Sequence, residues 1–285
     1  MPENVVKNRL CKPIDSLAIN REDLLRFLEI LQERANAACE MECNHIGSIT
    51  PAEKLEKSLE DLRSCAPLKL TIVGYDGEEL FGLIEEVFNS VSFPAQIKTL
   101  YVNSDLMYKA RFNYYPRNRF EVFIDFSKPK VLDFSFTPSD ATPNDSKFCV
   151  EGYDNTWANG VFSEIDNFFA KRCSKLSRIH KNTVYDLIVW TLGIPIGFWT
   201  CYKMSPYIND TFSSRLMESA LYVYVFFFSL IVLRILFHYF RWLYPKIQYQ
   251  TSKDRSLLHR GFFYVIATGI IVTFLYDVLS LFFSS

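Results

Sequence analysis

Cys39, Cys43 and His45, in the stretch CEMECNH, have the residue types most suited to chemistry. Cysteines four apart share one face of a helix, and thiolate and imidazole are donors that zinc accepts. They form the candidate metal site. No fourth ligand lies nearby, and the spacing departs from the usual zinc patterns. The plainer expectation is a pair of small buried cysteines between two helices.

The segment GYDGEE, Gly74 to Glu79, follows a strand-like run and precedes a helix-like one, where phosphate loops occur. It lacks both glycine signatures of such loops, and its acids repel phosphate, so a plain β–α turn is expected. Asp125, Asp133, Asp140 and Asp145 have neither metal-ligand spacing nor a paired base. His180 and His259 belong to basic stretches and are expected to titrate at the surface, and His238 to lie at an interface. No nucleophile stands with its base, so a non-enzymatic protein without a cofactor is expected.

Three more ionisable residues, Asp186, Arg234 and Asp277, sit inside long apolar runs at 183–203, 218–240 and 261–282. Each run is close to the roughly 20 residues that cross a bilayer as a helix. Five Lys/Arg precede the first run in KRCSKLSRIHKN, two lie between the first and second, and five lie in 241–260. Basic loops stay in the cytosol, so three passes are expected, with a cytosolic N-terminal head and the C-terminus outside. In a prokaryote the membrane would be the inner one. Asp186 and Arg234 then fall near the inner rim, where they could pair, and Asp277 near the outer rim. Pro195, between Gly193 and Gly197, is a possible hinge in the first span, or part of a notch where small residues admit a neighbouring helix.

The rest of the chain must position these residues. Residues 1–170 hold 18 Lys/Arg against 27 Asp/Glu, a net charge of −9, which argues against nucleic acid as a direct ligand. Seven cysteines at irregular spacing do not resemble a disulfide framework and fit a reducing compartment. The opening residues are polar and broken by prolines, so no secretory signal is expected there. The sequon at 209–211 is taken as chance.

Apolar positions 24, 28, 31, 35 and 38 predict a helix that starts at Asn20 and carries a bundle or coiled-coil seam. TPAE, from Thr50, opens a second helix with Leu55, Leu59 and Leu62 on its inner face. Strands are predicted at 68–74, 96–102, 106–115, 119–126, 131–136 and about 147–152, and helices at 78–91 and 155–172. The last of these helices is expected to run through the basic flank into the first span.

The fold class is α+β. Its segments are a helix pair over 1–64, a two-layer sandwich with a largely antiparallel sheet over 65–172, a basic flank at 173–182, and a three-helix transmembrane region.

A cytosolic head joined through KRCSKLSRIHKN to spans from 183 onward resembles the transmembrane effectors of bacterial anti-phage systems, including those that accompany retrons. The resemblance implies a head held quiet by a regulatory protein or ribonucleoprotein, whose release lets the spans assemble as a homo-oligomer and breach the lipid bilayer. A membrane-anchored scaffold using the 21–64 helices and a channel or transporter subunit are the alternatives.

Overall fold

Alternating residues in KLTIVG, RFEVFID and their neighbours each present one apolar face, and those faces make a single sheet. The computed structural model describes residues 6–49, 52–132, 142–174, 176–211, 214–252, 254, 256–265, 268–269 and 272. They fall into two units, one built from Met1–Ser127, Pro143–Ser177 and Lys246–Thr251, the other from Lys128–Thr142, Arg178–Pro245 and Ser252–Ser285.

The first unit contains β1 (Asn8–Pro13), β2 (Leu17–Ile19), α1 (Arg21–Ile49), α2 (Ala52–Arg63), β3 (Lys69–Gly74) and β4 (Glu79–Leu83). It continues with α3 (Ile84–Phe88), β5 (Ile97–Asn103), α4 (Leu106–Phe112), β6 (Arg119–Asp125), β7 (Lys147–Gly152) and α5 (Asn155–Ala170). Six strands form one sheet in the order β1-β7-β6-β5-β3-β4, every pairing antiparallel. Leu70, Ile72, Leu100, Val102, Phe120, Val122, Ile124, Phe148 and Val150 line the inner face and are buried.

α1 and α5 supply the facing layer. The Asp23 amide donates to Asn20 Oδ1 at 2.7 Å, capping the first helix. Asp154 caps α5 through the amides of Thr156 and Trp157. Phe27 packs between Phe168 and Phe169, with ring centroids 4.9 Å from each. The α+β class and the antiparallel sheet agree with the sequence reading.

Several local expectations do not. The α1 seam of Leu24, Leu28, Leu31, Ala35 and Ala38 is buried in the core with the sheet, so it forms no separate bundle. Residues 78–91 are not one helix. Gly77 takes φ 92°, and the chain turns back as β4 against β3 before α3 begins. GYDGEE is therefore a hairpin turn, and Asp76-Gly77 was its signal. Residues 106–112 form α4 rather than a strand, because β5 already has β3 and β6 on its two sides. α5 ends at Ala170 and does not continue into the flank. Most of 131–136 lies outside the described residues, as do Thr50, Pro51 and the Leu55 side chain.

β1 and β2 were not anticipated. β1 lies in a polar stretch on the sheet edge, and β2 pairs in parallel with β8 (Ile247–Tyr249). Cys11 and Cys149, opposed in the β1–β7 register, form a disulfide. The expectation of unpaired cysteines fails for these two.

The second unit contains all but the first residue of a short 3₁₀ turn (Ser177–His180), then α6 (Asn182–Ile188), a π-turn (Val189–Gly193), α7 (Ile194–Thr211) and α8 (Arg215–Leu243). Residues 182–211 and 215–243 are two helices long and apolar enough to cross a membrane, with mean hydropathy 1.4 and 2.3. They contain the runs expected at 183–203 and 218–240. Residues 256–265 are helical, but most of 261–282, including Asp277, lies outside the described residues. Two candidate spans are found among the described residues, where three were expected.

Candidate functional site

Helix α1 carries Cys39 and Cys43 one turn apart, and both are 3% exposed. With Leu62, Cys65 and Tyr108 they form a second apolar cluster, and Cys39 Sγ donates to the Leu62 carbonyl at 3.7 Å. Burial, followed by the neighbouring Cys39, pushes the Cys43 thiol up to about 11. Burial and then the Cys39 hydrogen bond raise Tyr108. The Cys43 thiol therefore stays protonated at neutral pH and is a poor nucleophile.

His45 does not join them. Its ring meets Arg117, with Nη1 at 2.7 and 3.0 Å from the two ring nitrogens. Among the described residues no group of three His, Cys, Asp or Glu side chains could hold a metal ion. Sequence reasoning missed Cys65 and Tyr108, which come from other elements. Only Cys65, three residues beyond Leu62 on the inner face of α2, carried a local signal.

A groove of about 830 Å³ runs along α1 and α5, floored by Ile30, Trp157, Val161 and Phe168. Arg34 holds Glu164 through a two-pronged contact of 2.6 and 3.2 Å. Arg172 holds Asp23 at 2.6 and 2.9 Å, with its guanidinium 3.8 Å from the Phe168 ring centroid. A second cleft, about 660 Å³, opens on the other face of the sheet beside Tyr101, Glu121, Phe123 and Lys147. Both surfaces mix charged side chains with aromatic area.

At one edge of that face Glu151 receives Lys7, Arg9 and Arg119. Burial pushes its carboxyl up, but the hydrogen bonds from Lys7 and Arg119 outweigh it and leave the group below the ordinary value.

In the second unit Asp186 is exposed, while Arg234 is 7% exposed with its guanidinium 5.8 Å from the Tyr185 ring. No ion pair joins the two among the described residues, so the expected rim pairing is not formed. Arg234, His238 and Arg241 follow one face of α8, and all three are buried. Arg241, expected in a solvated flank, is 1% exposed and donates to the carbonyls of Ile179 and Lys181.

His180 is also buried, contrary to the surface expectation. Nε2 lies 2.7 Å from the Tyr244 carbonyl and Nδ1 2.8 Å from Thr142 Oγ1. Backbone acceptors explain both results, since the 3₁₀ turn and the end of α8 leave carbonyls that need donors. His259 is exposed beside the Tyr239 hydroxyl, as expected.

Pro195 stands in the first turn of α7, directly after the π-turn in which the Ile194 amide reaches Val189 O. A Cβ on Gly193 would meet Leu233 at 2.9 Å, and one on Gly197 would meet the Phe226 ring at 2.7 Å. The glycines flanking Pro195 are thus the close-approach points of α7 on α8, the notch geometry.

Protein-family models, curated proteins and solved structures were compared with the chain, and none matches.

Proposed function

We propose that the chain is an integral membrane effector. In this reading α6–α7 and α8 cross the bilayer as a hairpin and the α/β unit stays on the cytosolic side. A partner-controlled change in that unit acts on the hairpin to perturb the membrane, as in abortive anti-phage defence. The observation that carries the reading is the placement of β8: the strand just beyond α8 is paired with β2 in the same unit as β1–β7.

A folded unit occupies one side of a membrane, so the chain between residues 177 and 246 crosses an even number of times. Basic residues agree with a cytosolic side, because Arg178, Lys181, Arg241 and Lys246 flank the hairpin's open end and only Lys203 and Arg215 its tip. A third crossing over 261–282 would leave the C-terminus outside.

The net charge of −9 over residues 1–170 favours a protein or ribonucleoprotein partner over bare nucleic acid. The α1/α5 groove is the surface offered to it. A scaffold acting through the 21–64 helices is disfavoured because the α1 seam is spent in the core.

Membrane potential in cells induced to express the chain provides the test, with a second arm in which residues 182–243 are replaced by an unrelated apolar hairpin of equal length. Depolarisation in the first arm alone is expected. Full potential in both arms at high expression defeats the effector reading, and equal depolarisation in both removes any specific role for this hairpin.

A further inference from the structure

Among the described residues, the pairing of Cys11 with Cys149 is the one covalent cross-link between the edge strand β1 and the rest of the sheet. We propose that this pair is a reversible thiol–disulfide site, reduced by a dithiol, which controls whether β1 and the adjoining β2 stay docked. The inference concerns the first unit alone; it rests on the cytosolic placement proposed above and stands whether or not the hairpin perturbs a membrane.

Three observations carry it. First, Cys11 is exposed on an edge strand whose pattern is mostly solvent-facing, so a reductant can reach its sulfur, whereas Cys149 is 6% exposed. Second, Cys39, Cys43 and Cys65 are buried as free thiols in the same unit. A chain that keeps three thiols reduced while one accessible pair is oxidised has the disposition of a redox-responsive site, since disulfides in reducing compartments are chiefly transient.

Third, β1 itself contributes no buried side chain to the core. Beyond its ladder with β7 and its packing against α5 it is held by the ion pairs of Lys7 and Arg9 with Glu151 and of Lys12 with Asp166. Of these, the Lys12 pair is solvent-exposed and contributes little.

The chemistry balances as ordinary exchange. A thiolate of the dithiol attacks Cys11 Sγ, the sulfur–sulfur bond breaks, and Cys149 leaves as a thiolate that takes a proton. The second thiol of the reductant then displaces Cys11 from the mixed disulfide. Two electrons and two protons pass to the cysteine pair, and the reductant becomes a disulfide.

The consequence follows from chain order. Three residues separate β1 from β2, and β2 is pinned to the returning segment by Leu17 N to Lys246 O at 3.1 Å and Gln250 N to Ile19 O at 2.7 Å. Freeing β1 leaves Ile14, whose amide meets the Ser146 carbonyl at 2.9 Å, and Ser16, whose hydroxyl accepts from the Ser174 amide at 2.8 Å, as the remaining anchors on the N-terminal side of that short parallel pair, which has only three residues per strand.

The test uses the detergent-purified full-length chain, with dithiothreitol as the dithiol and no denaturant. Alkylation should label Cys173, which is exposed, before and after reduction, and should label Cys11 only after it. Amide exchange over Asn8–Pro13 and Leu17–Ile19 should accelerate about tenfold on reduction, with β3, β5 and β6 unchanged. Cys11→Ser should show the reduced pattern without dithiothreitol and no further response to it. If that variant does not accumulate, reduced wild type carries the test. Resistance of the bond to dithiothreitol, reduction without change in exchange, or both thiols free in chain taken from oxidant-treated cells would each overturn the proposal.

Discussion

Helices α1 and α8 are both 29 residues long, and each carries a telling phenylalanine: Phe27, in the second turn of α1, fully buried, and Phe228, in the middle of α8, 68% exposed. In α1 the charged residues other than Glu42, which is buried against Tyr114 and the Arg117 amide, are exposed or half-buried, while Leu24, Phe27, Leu28 and Leu31 are buried in the core with the sheet, the pattern of a helix folded in water. In α8 Val223, Phe227, Phe228, Val232 and Leu236 are all exposed, on more than one face, and the buried set mixes Phe237 and Leu243 with Arg234, His238 and Arg241. The inversion teaches which solvent each helix was selected for. Water drives Phe27 inward, whereas the exposed rings and buried guanidinium groups of α8 fit the bilayer placement proposed above, in which hydrocarbon surrounds the helix.

The largest effect that could break this contrast is a matched pair of truncations. Phe27→Ala removes a ring wedged between Phe168 and Phe169 and should lower stability by about 3–5 kcal/mol. Phe228→Ala removes an exposed ring and should change it by under about 0.5 kcal/mol. Urea denaturation of the detergent-solubilised chain, followed by near-ultraviolet circular dichroism, compares the two. Similar losses would mean that Phe228 has a packing partner and that the hairpin is not surrounded by lipid.

What was legible in the sequence follows the same division. Where one physical demand dominates a stretch, the reading held: the alternation in KLTIVG and RFEVFID gave strands, and the two apolar runs before residue 243 gave the candidate spans. It failed where a residue answers to a partner distant in sequence. β1 is polar and becomes a strand only because β7 offers an edge. LMYKARF alternates like a strand and becomes α4 because both neighbours of β5 are taken. His45 lies two residues from Cys43 yet turns to Arg117, and Cys65 enters the thiol cluster from the turn that follows α2. The burial of Arg241 was hidden for the same reason, since its acceptors are the carbonyls of Ile179 and Lys181.

Glycines provide a smaller contrast. A side chain on Gly197 would drive into the Phe226 ring, so Gly197→Leu should weaken α7–α8 packing by about 1–3 kcal/mol. Gly160, in mid-α5, has open space for 4 Å around the point where a methyl would stand, so Gly160→Ala should add about 1 kcal/mol through helix propensity. Cys201 Sγ lies 3.4 Å from the Tyr222 carbonyl, so Tyr222→Cys offers a crosslinking reporter on the hairpin. Crosslinking should fall with Gly197→Leu and stay unchanged with Gly160→Ala. A hairpin that crosslinks equally well with leucine at 197 would show that α7 does not rest on α8 at this notch.

The smallest difference lies at the two helix starts. Asn20 accepts from the Asp23 amide, whereas Ser214, at the start of α8, has extended dihedrals but makes no side-chain capping bond. Asn20→Ala should therefore cost about 1 kcal/mol and Ser214→Ala close to nothing. The reason is again the surroundings. α1 begins at the surface of a water-folded unit, where an unsatisfied amide competes with solvent and a cap returns a measurable fraction of stability. In the proposed bilayer placement α8 draws its helicity from the apolar length that follows, because leaving the helix in hydrocarbon would expose every amide at once. Paired urea titrations of the two variants decide the point. An equal cost at both positions would indicate that α8 starts under the same constraints as α1, and the contrast between the two helices would then be confined to their middles.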